Sequence, residues 1–165
     1  GEHLSRSGVG YVFIEDGTCS PDVNSIEGLE RFDLGYLAKL LSSFRSNGIR
    51  SIVHNCAANP YLDGYLKMTM EALHLTPKAM DLRAIYDKFR SRTTMIGGID
   101  QTFLLFKGTP GQVADEVKAM MKDWGGGPGY MIAPGCEMAF KTPIENIIAL
   151  REATARCATG MPSDG

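Results

Sequence analysis

The chain has 165 residues, of which 44% are hydrophobic and 22% are charged, a balance typical of a globular protein with a sizeable core. The net charge of -2 gives no basic excess, which argues against binding to nucleic acid or to an anionic membrane surface. Neither an apolar run of about 20 residues nor a signal-peptide pattern is present in the sequence, so we expect a cytoplasmic protein without a membrane span.

Short apolar runs alternate with amphipathic stretches along the chain, and each pair of them predicts a strand followed by a helix. The predicted strands cover residues 9–14, 49–56, 73–76, 93–96 and 130–133, the third being only weakly marked. Helices are expected from a cap at Asp33 to Asn47-Gly48, over 61–73, over 82–89, after Thr109-Pro110-Gly111-Gln112, and from the capping motif at Thr142 to about Ala158. Residues 18–31 are predicted to form a long loop.

This alternation predicts an α/β fold in which right-handed crossovers build a parallel sheet. An open doubly wound sheet and part of a TIM (β/α)8 barrel both fit the pattern, and both place active sites at the carboxyl ends of the strands. No G-x-G-x-x-G follows a predicted strand, so dinucleotide binding has no support. We expect one α/β domain over residues 1–159 and a disordered tail over residues 160–165.

His54, Cys56 and Cys136 are candidate metal ligands. The alternation of a strand puts His54 and Cys56 on one face near the end of the second predicted strand, and Cys136 follows the fifth. If both strands belong to one parallel sheet, an imidazole and two thiolates meet at one edge. Three protein ligands leave a fourth position open, which is the pattern of a catalytic zinc site. A packed core histidine beside buried free cysteines is the alternative interpretation.

Acidic residues stand at the ends of two further predicted strands. Glu15 and Asp16 follow the first strand, and Asp100 follows Gly97-Gly98, where the glycines let a backbone or a ligand come close. Glu15 and Asp100 are therefore candidate catalytic carboxylates at the same sheet edge. The run 15–17 is also typical of a solvated turn, and both interpretations stay open.

Three stretches together resemble a known family. They are V-H-N-C at 53–56, I-G-G-I-D at 96–100, and G-P-G-Y-M-I-A-P-G-C-E at 127–137 followed by K-T-P-I-E-N at 141–146. In this order they are similar to the uroporphyrinogen decarboxylase superfamily, and within it to the corrinoid-dependent methyltransferases. The resemblance implies a (β/α)8 barrel, of which this chain supplies about the last five βα units, since a full barrel takes about 250 residues. Open strand edges would pair with the missing N-terminal half, or with a second copy in a homo-oligomer.

The resemblance also implies functional residues. The methyltransferases of the superfamily bind zinc through an H-x-C motif and a later cysteine, which match His54, Cys56 and Cys136. They exchange the methyl group with a corrinoid held by a partner protein, so zinc, a corrinoid and a corrinoid protein are expected. The superfamily usually has glycine after H-x-C, where this chain has Ala57. Some relatives add a carboxylate ligand, for which the candidates are Glu15, Asp81 and Glu137.

Two methyl transfers are consistent with these implied ligands. Zinc can hold an acceptor thiol as a thiolate, or polarise the oxygen of a methyl ether or methanol that donates the methyl group. Two thiolate ligands leave the metal electron-rich, which favours the thiol. The decarboxylases of the superfamily are the alternative: they need no metal, carry histidine where this chain has Cys136, and would need cations rather than acids at the strand ends. A zinc-stabilised domain without catalysis would predict a fourth protein ligand.

Overall fold

A computed structural model describes residues 1–76, 81–125 and 128–159. Five strands form one sheet in the order β1-β2-β3-β4-β5, and all neighbouring strands are parallel. Their bounds are Tyr11–Glu15 (β1), Arg50–Asn55 (β2), Ala72–Leu75 (β3), Thr94–Ile99 (β4) and Tyr130–Pro134 (β5). The predicted α/β fold is confirmed, including the weakly marked third strand.

The strand order decides between the two architectures that the sequence left open. Strands that follow one another in the chain are also neighbours in the sheet, and the order never reverses. A doubly wound sheet reverses its order at a switch point, whereas a barrel adds each strand beside the previous one. The sheet is therefore a run of five consecutive barrel strands.

Helices connect the strands. Their bounds are Glu2–Arg6 (α1), Ile26–Leu29 (α2), Gly35–Ser46 (α3), Leu62–Tyr65 (α4), Leu82–Phe89 (α5), Pro110–Trp124 (α6) and Ile144–Thr159 (α7), with π-helical segments at Glu30–Leu34 and Gln101–Phe106. The helix α6 starts as predicted, because the Thr109 hydroxyl accepts the Gln112 amide, the Gln112 side chain accepts the Thr109 amide, and Pro110 follows the cap. The buried residues of α6 are Val113, Val117, Met120 and Trp124.

The two faces of the sheet differ in burial. Helices cover one face and bury its side chains, among them Val53, Leu73 and Ile99. Across the other face, the strand register joins one row of side chains: Glu15, His54, His74, Ile96 and Met131. On that face Tyr11 and Phe13 of β1 are 57% and 53% exposed. This second face corresponds to the interior of a closed barrel, and it carries His54.

The predicted helix start at Asp33 is wrong. The helix begins at Ile26, where the Ser25 hydroxyl accepts the Gly28 amide, and it continues through the π-helical segment into α3. Asp33 lies inside that segment, and part of the predicted loop 18–31 is therefore helical. The predicted end at Asn47-Gly48 is confirmed, because Asn47 is the C-cap and Gly48 has a φ of 73°.

The predicted helix over residues 61–73 is also wrong, since only Leu62–Tyr65 is helical and β3 begins at Ala72. Between α4 and β3, backbone carbonyls accept hydrogen bonds from side chains of the segment that joins α5 to β4. The Arg92 guanidinium donates to the Leu66 carbonyl at 2.6 Å, and the Thr93 hydroxyl donates to the Met70 carbonyl at 3.3 Å. A helical pattern in the sequence is thus overridden by long-range hydrogen bonds.

Gly97 and Gly98 lie within β4, which extends three residues beyond the predicted strand. Gly97 has a φ of +123°, and a Cβ there would stand 2.2 Å from the Leu75 carbonyl oxygen. Only glycine allows β3 and β4 to approach in this way. The expected close approach at this glycine pair is confirmed for the backbone.

The last helix, α7, begins close to its predicted start. The Thr142 hydroxyl donates to the Ala139 carbonyl at 2.8 Å, and the Asn146 amide donates to the carbonyls of Leu105 and Gly108. Asn146 thereby ties α7 to the segment that follows β4. The predicted tail 160–165 lies outside the described residues. Among the helices of the described ranges, none has both the length and the apolar character needed to cross a membrane.

Candidate metal centre

The structure brings His54, Cys56 and Cys136 together. His54 is in β2, Cys56 directly follows β2, and Cys136 follows β5, with β3 and β4 between these two strands in the sheet. Each offers one ligand atom, and the three atoms lie within 4.8 Å of one another. The predicted meeting of an imidazole and two sulfur atoms at the carboxyl edge is therefore observed. His54 is buried, Cys136 is half-buried and Cys56 is exposed, so the group opens to the outside at Cys56.

The His54 ring is held in one orientation. Its Nδ1 lies 3.3 Å from the His74 carbonyl oxygen, and because a carbonyl only accepts, Nδ1 carries the proton in this contact. The rings of Phe13 and His74 pack against His54 with centroid distances of 5.6 and 4.5 Å. The lone pair of His54 is consequently on Nε2, as in metal-bound histidines whose other nitrogen donates to a carbonyl.

Asn55 shapes the turn that presents Cys56. Its side chain is fully buried, and its amide donates to the Cys19 carbonyl at 2.9 Å and to the Tyr65 hydroxyl at 2.8 Å. The Asn55 side-chain oxygen Oδ1 accepts a hydrogen bond from the Ala57 backbone N–H at 2.8 Å. No described residue other than glycine has a positive φ, so the backbone conformation at position 57 does not require glycine. The departure from the usual glycine therefore leaves the local backbone intact.

The turn that presents Cys136 is bound by groups from β3 and β4. The His74 Nε2 donates to the Pro134 carbonyl at 2.8 Å, the Thr76 hydroxyl donates to the Gly135 carbonyl, and the Gly135 amide donates to the Ile99 carbonyl at 2.8 Å. Sequence reasoning missed His74 and Thr76. Both belong to the weakly marked third strand, and only the strand register shows that His74 shares the face of His54.

Burial governs the titration of this group. It raises the pKa of the Cys136 thiol, and the nearby Cys56 adds to the rise. It lowers the pKa of His74, an effect that the neighbouring His54 reinforces. A cation is the partner that favours two thiolates at this place, since a coordinated thiol loses its proton. The donor set of one imidazole and two sulfurs fits zinc.

The predicted carboxylates occupy different positions from the three ligand candidates. Among the described residues, no carboxylate joins the group of His54, Cys56 and Cys136. Glu15 is exposed and pairs in register with His54. Asp100 caps the π-helical segment after β4, Asp81 caps α5, and the charge of Glu137 contributes to the raised pKa of Cys136. The catalytic roles of Glu15 and Asp100 remain predictions.

A cavity of about 560 Å³ lies beside the Cys136 turn. The carboxyl ends of β3, β4 and β5 contribute to its lining, together with the π-helical segment after β4 and one residue of α6: Thr76, Gly98, Ile99, Asp100, Phe103, Leu104, Glu116 and Gly135. The charged residues of this lining, Asp100 and Glu116, are both acidic. The cavity is therefore poorly suited to a ligand with several carboxylates.

A second polar group begins directly after the end of β1, and none of its residues lines the cavity. Asp16, Cys19 and Asp33 place their side-chain ligand atoms within 4.8 Å of one another, and the Tyr65 hydroxyl donates to Asp16 at 2.8 Å. Burial, with a contribution from the Asp16 carboxylate, raises the pKa of Asp33 to about 6. Burial likewise raises the pKa of the Cys19 thiol to about 12. The Asn55 side-chain amide donates to the Cys19 carbonyl and to the Tyr65 hydroxyl, and it thereby connects this group to the turn that presents Cys56.

The Asp33→Asn variant is expected to stabilise the protein at pH 7.5 by about 1 kcal/mol, less than the full pKa shift implies because Asp33 is partly exposed. The folded form binds the Asp33 proton more tightly than the unfolded form does. The protonated carboxyl therefore contributes its full share to the free energy of unfolding below about pH 4, and this share is lost as the pH rises through about 6. Urea unfolding at pH 4.5 and 7.5 measures the difference. Asp22→Asn, at an exposed site, is the control. An equal gain at both pH values would contradict the expectation.

The chain is similar in sequence to a known protein family. A sequence profile described as "Uroporphyrinogen decarboxylase (URO-D)" matches residues 2–157. The chain belongs to the uroporphyrinogen decarboxylase family. This URO-D family match runs from α1 almost to the end of α7, and it confirms the resemblance drawn from three stretches of the sequence.

Individual members of the URO-D family are similar to the chain at moderate identity. The methylcobamide:CoM methyltransferase MtaA of Methanosarcina barkeri is 29% identical over 148 residues, which are 89% of this chain and 42% of that protein. The uroporphyrinogen decarboxylase of Anaeromyxobacter dehalogenans is 28% identical over 131 residues, 77% of this chain and 36% of that protein. The chain thus spans about two fifths of the length of these relatives.

A solved structure agrees with the fold. A methyltransferase from Methanosarcina mazei superposes with a TM-score of 0.79 and 25% sequence identity, covering 94% of this chain and 44% of that one. Five parallel strands alternating with helices match part of its TIM barrel. The predicted fold class, the C-terminal part of a (β/α)8 barrel, is therefore confirmed.

Proposed function

We propose that the chain carries the zinc site of a corrinoid-dependent methyltransferase. One observation carries this proposal above the others: His54, Cys56 and Cys136 converge from the ends of β2 and β5 with their ligand atoms within 4.8 Å. A tetrahedral zinc site with bonds of 2.0–2.3 Å separates its ligand atoms by roughly 3.3–3.8 Å. The observed spacing needs only small adjustments to reach that geometry.

The ligand environment supports zinc rather than a hard cation. Imidazole and thiolate are ligands of zinc, whereas magnesium and calcium prefer oxygen. The His54 Nδ1 is already occupied by the His74 carbonyl, which leaves Nε2 for the metal. Zinc bound here would hold a substrate thiol as a thiolate or polarise the oxygen of a methyl ether or methanol. Two sulfur ligands favour the thiol.

The surrounding residues provide access and enclosure. Cys56 is exposed, so a small substrate reaches the group from its side, while Phe13 and His74 cover the His54 ring. The cavity beside the Cys136 turn provides room for the rest of that substrate. Glu15 and Asp100, at the carboxyl ends of β1 and β4, are proposed to act at this rim as catalytic carboxylates.

The alternative is a metal-free decarboxylase of an acidic tetrapyrrole, an activity named for the Anaeromyxobacter relative. Such a substrate requires cationic side chains to bind its carboxylates. The cavity beside Cys136 offers Asp100 and Glu116 instead. Three methylcobamide:CoM methyltransferases match the chain over 87–89% of its length. Methyl transfer is therefore the better supported function.

Partners follow from the same proposal. We propose a corrinoid protein as the partner, docking over the strand ends; the names of the methylcobamide:CoM relatives indicate that those proteins use a methylcobamide. Residues 1–159 are proposed to act as one α/β domain. Its open sheet face, with Tyr11, Phe13 and Met131 exposed, is proposed to pack against the remainder of a barrel or, failing that, against a second copy.

Because we expect this chain to be inactive without the remainder of the barrel, methyl transfer is tested in the complete barrel, with methylcobalamin as donor and a panel of thiols as acceptors, in the presence of zinc. We expect the visible spectrum to change from methylcobalamin to cob(I)alamin with at least one thiol, and a chelator to abolish the change. Methyl ethers, methanol and methylamines are tested in the opposite direction with cob(I)alamin. Decarboxylation of uroporphyrinogen, together with no transfer from any donor, would contradict the proposal.

A further inference from the structure

His74 connects the two parts of the candidate metal centre. It lies in β3, next to the strand that carries His54 and two strands away from the one that precedes Cys136. Its backbone carbonyl accepts the proton of the His54 Nδ1, while its side-chain Nε2 donates to the Pro134 carbonyl at 2.8 Å. One residue thus contacts both ligand-bearing segments, through different groups.

The side chain reaches β5 across β4, and this path depends on glycine. The strand between them has Gly97 beside His74, where a Cβ would stand 3.2 Å from the His74 Cδ2. A side chain at that position would crowd the ring and its bond to Pro134. Gly97 therefore allows the imidazole of β3 to reach the Pro134 carbonyl at the end of β5.

Packing alone does not explain a histidine here. The Nδ1 of His74 is buried and has no hydrogen-bond partner among the described residues. A buried acceptor without a partner lowers the stability of the fold, and an aliphatic side chain would avoid this cost. The retained cost indicates that the Nε2 bond, rather than the bulk of the ring, is the contribution of this side chain.

We propose that His74 is a positioning residue, which fixes the turn Pro134-Gly135-Cys136 so that Cys136 meets the two ligands of β2. The proposal rests on the proposed zinc site and adds to it a residue that does not touch the metal. Outer partners of metal ligands typically change metal affinity by 10–100-fold when they are removed. The Thr76 hydroxyl, which donates to the Gly135 carbonyl, supports the same turn from the same strand.

The test is a titration of the purified metal-free protein with zinc against a chromophoric chelator, and with Co²⁺ followed by its visible spectrum. His74→Leu removes the donor and is expected to weaken both metals about tenfold or more and to alter the cobalt spectrum. His74→Gln places an amide N–H where Nε2 was, so its affinity should return to within about threefold of the unsubstituted protein. The amide of His74→Asn is one methylene shorter and does not reach the Pro134 carbonyl, so the metal affinity of this variant should be as low as that of His74→Leu.

A matched control separates positioning from general stability. Val117→Ala removes buried methyl groups from α6, in a core cluster without any of the three ligands, and should lower the unfolding midpoint while leaving metal affinity unchanged. If His74→Leu does not fold, the comparison of His74→Gln with His74→Asn gives the same answer. Unchanged affinity in His74→Leu or His74→Asn, with normal binding by the unsubstituted protein, would overturn the positioning role alone. Failure of the unsubstituted protein to bind either metal would overturn the zinc site, and this inference with it.

Discussion

Cys136→Ser is expected to lower the zinc affinity of the purified protein by at least about 100-fold, because it removes one of three protein ligands. The same loss is expected for His54→Ala, and methyl transfer should fall with zinc occupancy. Zinc content after dialysis against a weak chelator, measured by elemental analysis, gives the occupancy. Cobalt substitution gives an independent reading, since the sulfur-to-cobalt absorption bands should weaken in Cys136→Ser and stay in His54→Ala.

Cys157→Ser is the matched control for a lost thiol. Cys157 lies in α7 and is half-buried like Cys136. It packs against the core cluster that contains Val113 and Val117, and it is not part of the metal group. Zinc occupancy in this variant should equal that of the unsubstituted protein. Stoichiometric zinc in the double variant Cys56→Ser/Cys136→Ser would place the metal elsewhere, and the assignment of the ligands would be wrong.

The edge of the sheet at which the three ligand candidates lie was predictable, because it depends only on local rules. Alternation along a strand sets the face of His54, and the parallel arrangement sets the edge at which Cys56 and Cys136 appear. Neither rule needs the identity of neighbouring side chains. The rules leave open whether the three side chains meet, because β3 and β4 separate β2 from β5, and the resemblance to the methyltransferases was what implied the ligand set.

The supporting residues were not predictable by the same means. The role of His74 depends on the register between β3 and its neighbours, and register follows from packing that no single segment encodes. The failed helix over 61–73 has a similar cause, because Arg92 takes the Leu66 carbonyl from a distant part of the chain. Asp33 and Ser25 are both good capping residues, and burial of Leu29 and Leu34 favours the earlier start.

The strand β4 shows both what the sequence predicts and what only the structure reveals. The glycines in I-G-G-I-D were visible in the sequence as a place of close approach, but the sequence did not show what approaches. At Gly97 it is the Leu75 carbonyl and the His74 ring, both from β3, whereas at Gly98 it is the Met120 side chain and the Tyr130 hydroxyl. Gly97 is thus part of the support of the metal centre as well as a feature of the sheet.

Gly97→Ala is accordingly expected to destabilise the fold by about 3 kcal/mol or more. Its Cβ would stand 2.2 Å from the Leu75 carbonyl oxygen, and the residue would keep a φ of +123°, which side chains rarely adopt. Relief requires β3 and β4 to separate, because a backbone carbonyl within a sheet has no rotamer to change. Urea unfolding followed by circular dichroism measures the loss.

The control for Gly97→Ala is Gly111→Ala, in the first turn of α6. A Cβ there meets no atom within 4 Å, and the residue has no positive φ, so the change should be neutral or slightly stabilising. Because the separation of β3 from β4 would also move His74, any folded Gly97→Ala protein should bind zinc more weakly than its stability loss alone predicts. Unfolding of Gly97→Ala at the same urea concentration as Gly111→Ala would show that β3 and β4 are not held this close, and the path of His74 to Pro134 would then need no glycine.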